Sequence, residues 1–205
     1  MGSVASPVSE VTAISIGPRS HAIPSGGLAD VLEIPDLAAL HDAAARTGTR
    51  LVWLVDARAA PSQSTLSALL EHADAPAVSV PVDARGALVE AALGRVADED
   101  PATLLERVVE RRVPLRHTTV TSLVIECELV ATMPPPNPYR FGPYAGTEWT
   151  ARVFAESPGM LVPASRVEVV APPPGSLAQA VRMAGSGSWR RGEALRELHR
   201  VVVGR

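Results

Sequence analysis

The chain has 205 residues, of which 46% are hydrophobic and 20% are charged, and its formal net charge is −3. This length suits one globular domain, or one domain with a small appendage, and the apolar content excludes a chain that is disordered throughout. All 19 basic residues are arginines, but without a net positive charge the sequence lacks the electrostatic footprint of a nucleic-acid-binding protein. The single cysteine, Cys127, excludes an internal disulfide and a cysteine-based metal cluster.

No targeting or membrane-spanning segment is predicted. Residues 1–10 lack the basic and apolar regions of a signal peptide and are predicted to form a flexible leader. No uninterrupted apolar run approaches the roughly 18 residues that a membrane-spanning helix requires. We therefore expect a soluble cytoplasmic protein, with peripheral association at the inner membrane face left open.

The N-terminal part of the sequence alternates predicted strands with predicted helices. Strands are expected at residues 11–17 and 29–35, and a helix is expected between Asp36 as its N-cap and Gly48 as its stop. Residues 51–55 are apolar without interruption, as in a strand buried on both faces of a mainly parallel sheet. This pattern predicts an α/β fold with helices flanking a central sheet.

Asp56 follows the buried strand directly. An acid at this point lies at the carboxyl edge of the sheet, which is the usual ligand-binding edge of open α/β folds. The alternative is that Asp56 accepts backbone N–H groups of the turn that follows. The residues alone leave both interpretations open.

The elements after Asp56 are also predicted from apolar patterns and breaker residues. In chain order they are a helix with Leu66, Leu69 and Leu70 facing inward, a strand at 77–83, a helix capped by Asp100, a strand followed by a turn or a short helix within 117–133, a strand at 159–170, a short helix at 176–183, and a terminal amphipathic helix at 188–205 with Trp189, Leu195, Leu198 and Val202 on one side.

Residues 134–155 hold five of the seven aromatic rings. Because Pro and Gly are abundant in 134–146, this part is predicted to be an ordered loop without regular structure. Thr147 is the predicted N-cap of a helix with Glu148 in its first turn and Arg152 one turn later. Glu148 is either a carboxylate paired with Arg152 near the positive end of the helix dipole, or a reactive group at the mouth of a cleft.

Two stretches combine a buried strand with particular acids and rings. WLVDARAAPSQSTLSALL (53–70) has an apolar strand that ends in an acid, then a proline and a helix. NPYRFGPYAGTEWTARVFAESPGMLVPASRV (137–167) has Pro and aromatic residues, Glu-Trp-x-x-Arg, and a strand leading to Pro-x-Ser. Together they resemble inverting glycosyltransferases of the family-two type, and in particular the actinobacterial galactofuranosyl- and rhamnosyltransferase-like branch that builds cell-envelope glycans.

The resemblance implies a single GT-A-like (Rossmann-like) domain over residues 11–183, with a shortened nucleotide-binding half. It also implies transfer of a sugar from a nucleotide-sugar donor to a hydroxyl group of a glycan or lipid-linked acceptor. Asp56 matches the first acid of an Asp-x-Asp motif, which with Mg²⁺ or Mn²⁺ holds the donor diphosphate.

The acceptor side follows from the second stretch. By resemblance, Glu148 is the base that deprotonates the acceptor hydroxyl. Tyr144 and Trp149 line the acceptor site, and Arg152 pairs with Glu148 or orients it.

The sequence departs from the family's pattern at several positions. Arg58 stands where the second metal acid belongs, and a guanidinium cannot bind a metal, although it can neutralise a phosphate. The turn before Glu148 supplies one carboxylate instead of two or three, and Asp30 and Asp36 are only positional candidates for an acid that reads the nucleotide base. Three hypotheses follow: an active transferase, an inactive homologue that acts as a binding or assembly partner (as a homodimer or with another protein), and an unrelated α/β domain.

Overall fold

The computed structural model describes residues 10–18, 21–89, 113–170 and 175–187, together with residues 189, 194–195, 198–199 and 201–202. The predicted leader (apart from residue 10) and the predicted helix after Asp100 lie outside the described residues. Within the described part, the strands form one eight-stranded sheet. The strands are β1 Val11–Ile16, β2 Asp30–Ile34, β3 Leu51–Asp56, β4 Ala59–Ala60, β5 Ala77–Val82, β6 Val113–Leu115, β7 Ser122–Glu126 and β8 Gly159–Val169.

The sheet is mainly parallel. Its order is β2-β1-β3-β7-β5-β8-β4, and β6 pairs with β8 beside β4. The pairings give β1, β2, β3, β5 and β8 one direction and β4, β6 and β7 the opposite one. The predicted α/β class with a mainly parallel central sheet is therefore confirmed.

Six α-helices and two short 3₁₀ turns have complete bounds in the described residues and surround the sheet; further helical residues lie within 194–202. The 3₁₀ turns are Leu37–Ala39 and Gly142–Tyr144. The helices are α1 Leu40–Arg46, α2 Gln63–Leu70, α3 Cys127–Thr132, α4 Pro138–Phe141, α5 Ala145–Glu156 and α6 Leu177–Gly185.

Two apolar layers cover the two faces of the sheet. The side chains of β3 alternate between them, since Val52 and Leu54 join the cluster that contains α1 and α5, whereas Leu51, Trp53 and Val55 join the cluster that contains α2. This alternation follows from the two-residue period of a strand. It explains why the whole run is apolar, as the sequence predicted.

The direction of strand order reverses at β1. From β1 the chain moves to β2 on one side, and then crosses back through α1 to β3 on the other side. Ile16 at the end of β1 pairs with Asp56 at the end of β3, so the two carboxyl ends are level. In open α/β sheets the crevice at such a reversal is the usual ligand site.

The prediction of an irregular loop at 134–146 is wrong from Pro138 onward, where the chain is helical. Asn137 caps α4 with its side-chain oxygen, Pro138 occupies the first helical position, and Gly142 adopts a positive φ of 58° before the 3₁₀ turn. Proline suits the first turn of a helix because its missing N–H has no partner there in any case. Helix α5 then begins at Ala145, so Thr147 lies inside its first turn and is not the N-cap.

The register of the terminal helix also differs from the prediction. The described residues 194–195, 198–199 and 201–202 are helical, but Leu195 and Val202 are exposed and Val201 is buried. Val201 packs in a third apolar cluster with residues of α4, α6 and the 3₁₀ turn before α5, and Trp189 and Leu198 lie against that cluster. The buried stripe is therefore rotated away from the predicted one.

None of the helices in the described ranges has the length and apolar content required to cross a membrane.

Candidate functional site at the carboxyl edge of β1 and β3

The carboxylate of Asp56 is bound by both the backbone and the side chain of Arg58. Asp56 Oδ1 accepts from the Arg58 backbone N–H and from Nε, each at 2.8 Å, and Oδ2 accepts from Nη2 at 2.6 Å. The turn-closing role that the sequence offered for Asp56 is thus observed, at the edge where a ligand site was also expected. The hydrogen bond to Asp56 raises the pKa of Arg58 above its ordinary value, so the guanidinium remains a cation.

Backbone hydrogen bonds fix this turn to its neighbours. The Ala57 N–H donates to the Ile16 carbonyl at the end of β1, at 2.9 Å, and the Asp56 N–H donates to the Thr121 carbonyl before β7, at 3.0 Å. Immediately after the turn, β4 pairs with the end of β8. The backbone of Arg58 is therefore held in place, while its side chain is 38% exposed and reaches solvent.

The end of β1 turns away beside this pair. Gly17 has a φ of +90°, a left-handed conformation that glycine adopts at little cost. Asp36 follows the end of β2 at the same edge, where it caps the 3₁₀ turn through Ala38 N–H at 2.7 Å. Since β1 lies between β2 and β3, Asp36 and Asp56 follow strands roughly 10 Å apart. Asp30 begins β2 at the opposite edge, so only Asp36 of the two positional candidates lies near the crevice.

Glu148 forms a second ion pair, in which Arg152 binds both carboxylate oxygens. Its Oε1 accepts from Arg152 Nε at 2.9 Å, and its Oε2 accepts from Arg152 Nη2 at 3.0 Å. Arg152 Nη1 also donates to the Pro134 carbonyl at 2.9 Å, which ties α5 to the segment before α4. The Glu148 side chain is only 12% exposed. The pairing with Arg152 that the sequence offered as an alternative is therefore present.

Trp149 and Tyr144, the two rings expected to line an acceptor site, are both buried in the fold. Trp149 is fully buried among the core residues of the α1 and α5 face, and its Nε1–H makes no hydrogen bond with the described residues. Tyr144 is buried beneath the C-terminal segment, where its ring meets Trp189 edge to face at 5.0 Å and its hydroxyl accepts from Gly175 N–H at 3.1 Å. Neither ring forms an open wall in this conformation.

Segment 117–121 joins the two ion-paired regions. One end provides the Thr121 carbonyl that receives the Asp56 N–H. Near the other end, the Thr150 hydroxyl of α5 accepts from Thr118 N–H at 2.9 Å and donates to the Thr118 carbonyl at 2.7 Å. No local pattern in the sequence indicates this contact, because it joins residues 32 positions apart.

Val120, in the middle of this segment, has a φ of +61° and is buried. A left-handed conformation is unusual for a β-branched residue and costs about 1–3 kcal/mol. Val120 packs on Gly146 of α5, where a Cβ would lie 3.1 Å from Val120 Cγ2 and 3.0 Å from the Thr119 carbonyl oxygen. The close approach of this strained segment explains why a glycine occupies the first turn of α5.

The side chains at this edge do not fit a divalent metal site. Asp56 is the one predicted metal ligand, and both of its oxygens already accept from Arg58. The described ranges also contain no group of three or more His, Cys, Asp or Glu side chains that could hold a metal ion. A hard cation prefers several oxygen ligands, and the described residues do not supply them at this edge.

The predicted site residues thus form two groups. Asp56 and Arg58 form one ion pair at the crevice, and Glu148 and Arg152 form another on α5. No hydrogen bond or ion pair between the two groups occurs in the described structure. Segment 117–121 contacts Asp56 through the Thr121 carbonyl and contacts α5 through Thr150 and Gly146, not through the Glu148–Arg152 pair itself.

Comparison with known proteins gives a match only at the level of structure. No protein-family model and no curated protein matches the sequence. Forty-eight chains of solved structures match. One is the crystal structure of GalNAc-T7 with UDP, GalNAc and Mn²⁺, which shares 12% identity over 84% of this chain with a TM-score of 0.48. The chain spans about half of that protein, since 47% of it is covered, and a likeness of this size carries no conclusion about activity.

Proposed function

We propose that the chain is a GT-A-like glycosyltransferase that binds a nucleotide-sugar at the carboxyl ends of β1 and β3. The observation that carries this proposal is the Asp56–Arg58 pair at the reversal of strand order, where open α/β sheets bind ligands. The resemblance of residues 53–70 and 137–167 to family-two transferases supplies the class of ligand. The reaction proposed is transfer of the sugar to a hydroxyl group of a glycan or lipid-linked acceptor in the synthesis of cell-envelope polysaccharide, of the actinobacterial kind.

The chemistry of this proposal is an in-line displacement. The acceptor oxygen bonds to the anomeric carbon while the bond from that carbon to the phosphate oxygen breaks, and the nucleoside diphosphate leaves with the electron pair. Arg58 faces the charge that develops on the departing diphosphate. Glu148 takes the proton of the acceptor hydroxyl. Such a reaction would take place in the cytoplasm, at the inner membrane face where the acceptor is lipid-linked.

The acceptor side of the proposal requires a change of conformation. Arg152 binds both oxygens of Glu148, and Trp149 and Tyr144 are buried. Each oxygen of Glu148 keeps one further acceptor position, but the side chain is only 12% exposed, so a hydroxyl group gains full access when the guanidinium of Arg152 moves aside. Contact of a sugar with either ring requires movement of α5 or of the segment over Tyr144.

The same observations favour a second candidate, an inactive homologue that binds a ligand or a protein partner without turnover. A carboxylate with both oxygens bound by an arginine can serve a structural role alone, and a tryptophan in the core has a packing role. In this alternative the crevice binds nucleotide, while α5 serves only to hold the fold together. The partner is then a second copy of the chain or another protein of the assembly.

Ligand-induced stabilisation tests both candidates. Thermal unfolding is measured with UDP-, GDP- and dTDP-sugars, each with Mn²⁺ and with EDTA. A ligand at about a hundred times its Kd stabilises the folded state by about 2.7 kcal/mol, which is a readily measured rise in Tm. We expect at least one donor to raise Tm, and the absence of a shift with every donor would contradict a donor site at this crevice.

Glu148→Gln distinguishes the active enzyme from the inactive homologue. If Glu148 is the base, turnover falls about 10²–10⁴-fold while the Tm shift caused by the donor is retained. Turnover that is equal in Glu148→Gln and wild type would remove Glu148 from the mechanism. Donor binding without turnover of any acceptor by the wild type would favour the inactive homologue, and co-purification from the native host should then yield a stoichiometric partner.

A further inference from the structure

We infer that Arg58 takes the place of a metal-binding acid, so that the diphosphate of the donor is held at this crevice by a guanidinium without a divalent cation. The inference rests on the proposed function, because it concerns how the same crevice binds a nucleotide-sugar. It differs from what the resemblance implies, which is a diphosphate held through Mg²⁺ or Mn²⁺ on Asp56.

The Asp56 carboxylate is already occupied by hydrogen bonds. Oδ1 already accepts two hydrogen bonds and Oδ2 accepts one, all from Arg58. The carboxylate side chain is 17% exposed. A metal ion would have to displace the guanidinium or use the one acceptor position left on Oδ2, and in either case the two cations would lie side by side. Repulsion between the two cations opposes that arrangement.

Arg58 keeps N–H donors that Asp56 does not engage. A guanidinium carries five N–H groups, of which Asp56 engages Nε–H and one N–H of Nη2. The other three, two on Nη1 and one on Nη2, have no acceptor among the residues that the structure describes. They form an edge of a partly exposed cation. A planar set of donors of this kind matches the oxygens of a phosphate.

The position of Arg58 is fixed before any ligand binds. The Asp56 N–H donates to the Thr121 carbonyl before β7, and the Ala57 N–H donates to the Ile16 carbonyl at the end of β1. Strand β4, which follows Arg58 directly, pairs with β8. Asp56 then holds the plane of the guanidinium as a positioning residue. A donor group that is oriented in advance loses less conformational entropy when a ligand binds.

Calorimetric titration tests the inference with UDP, GDP, dTDP and inorganic pyrophosphate, in EDTA and in Mn²⁺. We expect at least one nucleotide to bind with the same Kd under both conditions. Arg58→Gln should weaken that binding about ten- to a hundred-fold, the loss of one or two hydrogen bonds to a charged group. Arg46→Gln is the matched control, because Arg46 is an exposed arginine at the far end of α1, and its Kd should equal that of the wild type.

Two further variants separate the guanidinium from a metal. Asp56→Asn should weaken binding by the same factor in EDTA and in Mn²⁺, whereas a loss confined to Mn²⁺ would show that Asp56 binds a metal. Arg58→Asp restores an acid-x-acid pattern, and electron paramagnetic resonance should detect more bound Mn²⁺ in it than in the wild type. Equal Mn²⁺ binding by Arg58→Asp and the wild type would overturn the inference that Arg58 occupies the position of a metal-binding acid.

The outcomes distinguish this inference from the proposal beneath it. Nucleotide binding that requires Mn²⁺ overturns the inference and leaves the nucleotide-sugar site standing. No binding of any nucleotide, in Mn²⁺ or in EDTA, removes the proposed function itself. Circular dichroism of each variant confirms that it is folded before its affinity is interpreted.

Discussion

Two arginines in this chain each hold a neighbouring carboxylate with two nitrogen donors. Both guanidinium groups are about a third exposed, so screening by solvent limits each pair to about 0–1 kcal/mol of stability. Their importance is geometric. The first pair fixes a cation at the crevice, and the second closes a carboxylate that the sequence offered as a base.

A different residue-scale contact has more effect on stability. The Ser122 hydroxyl of β7 accepts from Trp53 Nε1 at 3.1 Å and from the Ser79 hydroxyl at 2.8 Å, all within the core. Ser122→Ala leaves the Trp53 N–H buried without an acceptor, which should lower the free energy of unfolding by about 1–3 kcal/mol. Urea denaturation at unchanged m-value measures this loss.

Trp53→Phe is the control for this prediction. Phenylalanine lacks the N–H, so adding Ser122→Ala in that background should cost less than in the wild type. We expect a coupling energy of about 0.5–2 kcal/mol in the double-mutant cycle. Strict additivity of the two substitutions would contradict the hydrogen bond.

At the scale of elements, prediction from the sequence succeeded where the signal was local. The run at β3 is apolar at every position, and both alternating sets of side chains are indeed buried. It failed at residues 134–146, because Pro and Gly mark turns and helix starts alike, and only the packing of α4 against α6 decides between them. The ion pair of Glu148 and Arg152 was predictable from its four-residue spacing.

The candidate site was predictable only in part, for a related reason. Asp56 could be placed at the carboxyl edge, because a strand end is visible in the sequence. The burial of Trp149 and the seating of α5 on segment 117–121 depend on contacts between residues about 30 positions apart, which no local pattern records. Likewise, the left-handed conformation of Val120 has no signature in a β-branched residue.

Thr150→Val tests the hydrogen bonds between α5 and segment 117–121. Valine keeps the shape of threonine but removes the hydroxyl that pairs with the buried Thr118 N–H and carbonyl. We expect a loss of about 1–3 kcal/mol and faster hydrogen exchange of the Thr118 amide. Thr150→Ser keeps the hydroxyl and should lose less. An unchanged Thr118 exchange rate in Thr150→Val would contradict the contact.

At the scale of the whole molecule, one sheet sets the relation between the candidate site and the rest of the fold. The reversal of strand order places the Asp56 turn between β1 and the start of β7. Segment 117–121, which precedes β7, is hydrogen-bonded to α5. The 3₁₀ turn before α5 packs with α6 and the C-terminal segment in the third apolar cluster. The C-terminal segment therefore covers Tyr144 while lying outside the two main layers.

The register of that segment gives a direct test with two adjacent residues. Val201 is 4% exposed and packs against the cluster that contains Tyr144, whereas Val202 is 60% exposed. Val201→Ala removes buried methyl groups and should lower the free energy of unfolding by about 1–2 kcal/mol. Val202→Ala should change it by less than about 0.5 kcal/mol, as is usual for an exposed position. The amphipathic stripe expected from the sequence, with Val202 inward, predicts the opposite order of the two losses, so thermal or urea denaturation of the pair decides between the two registers.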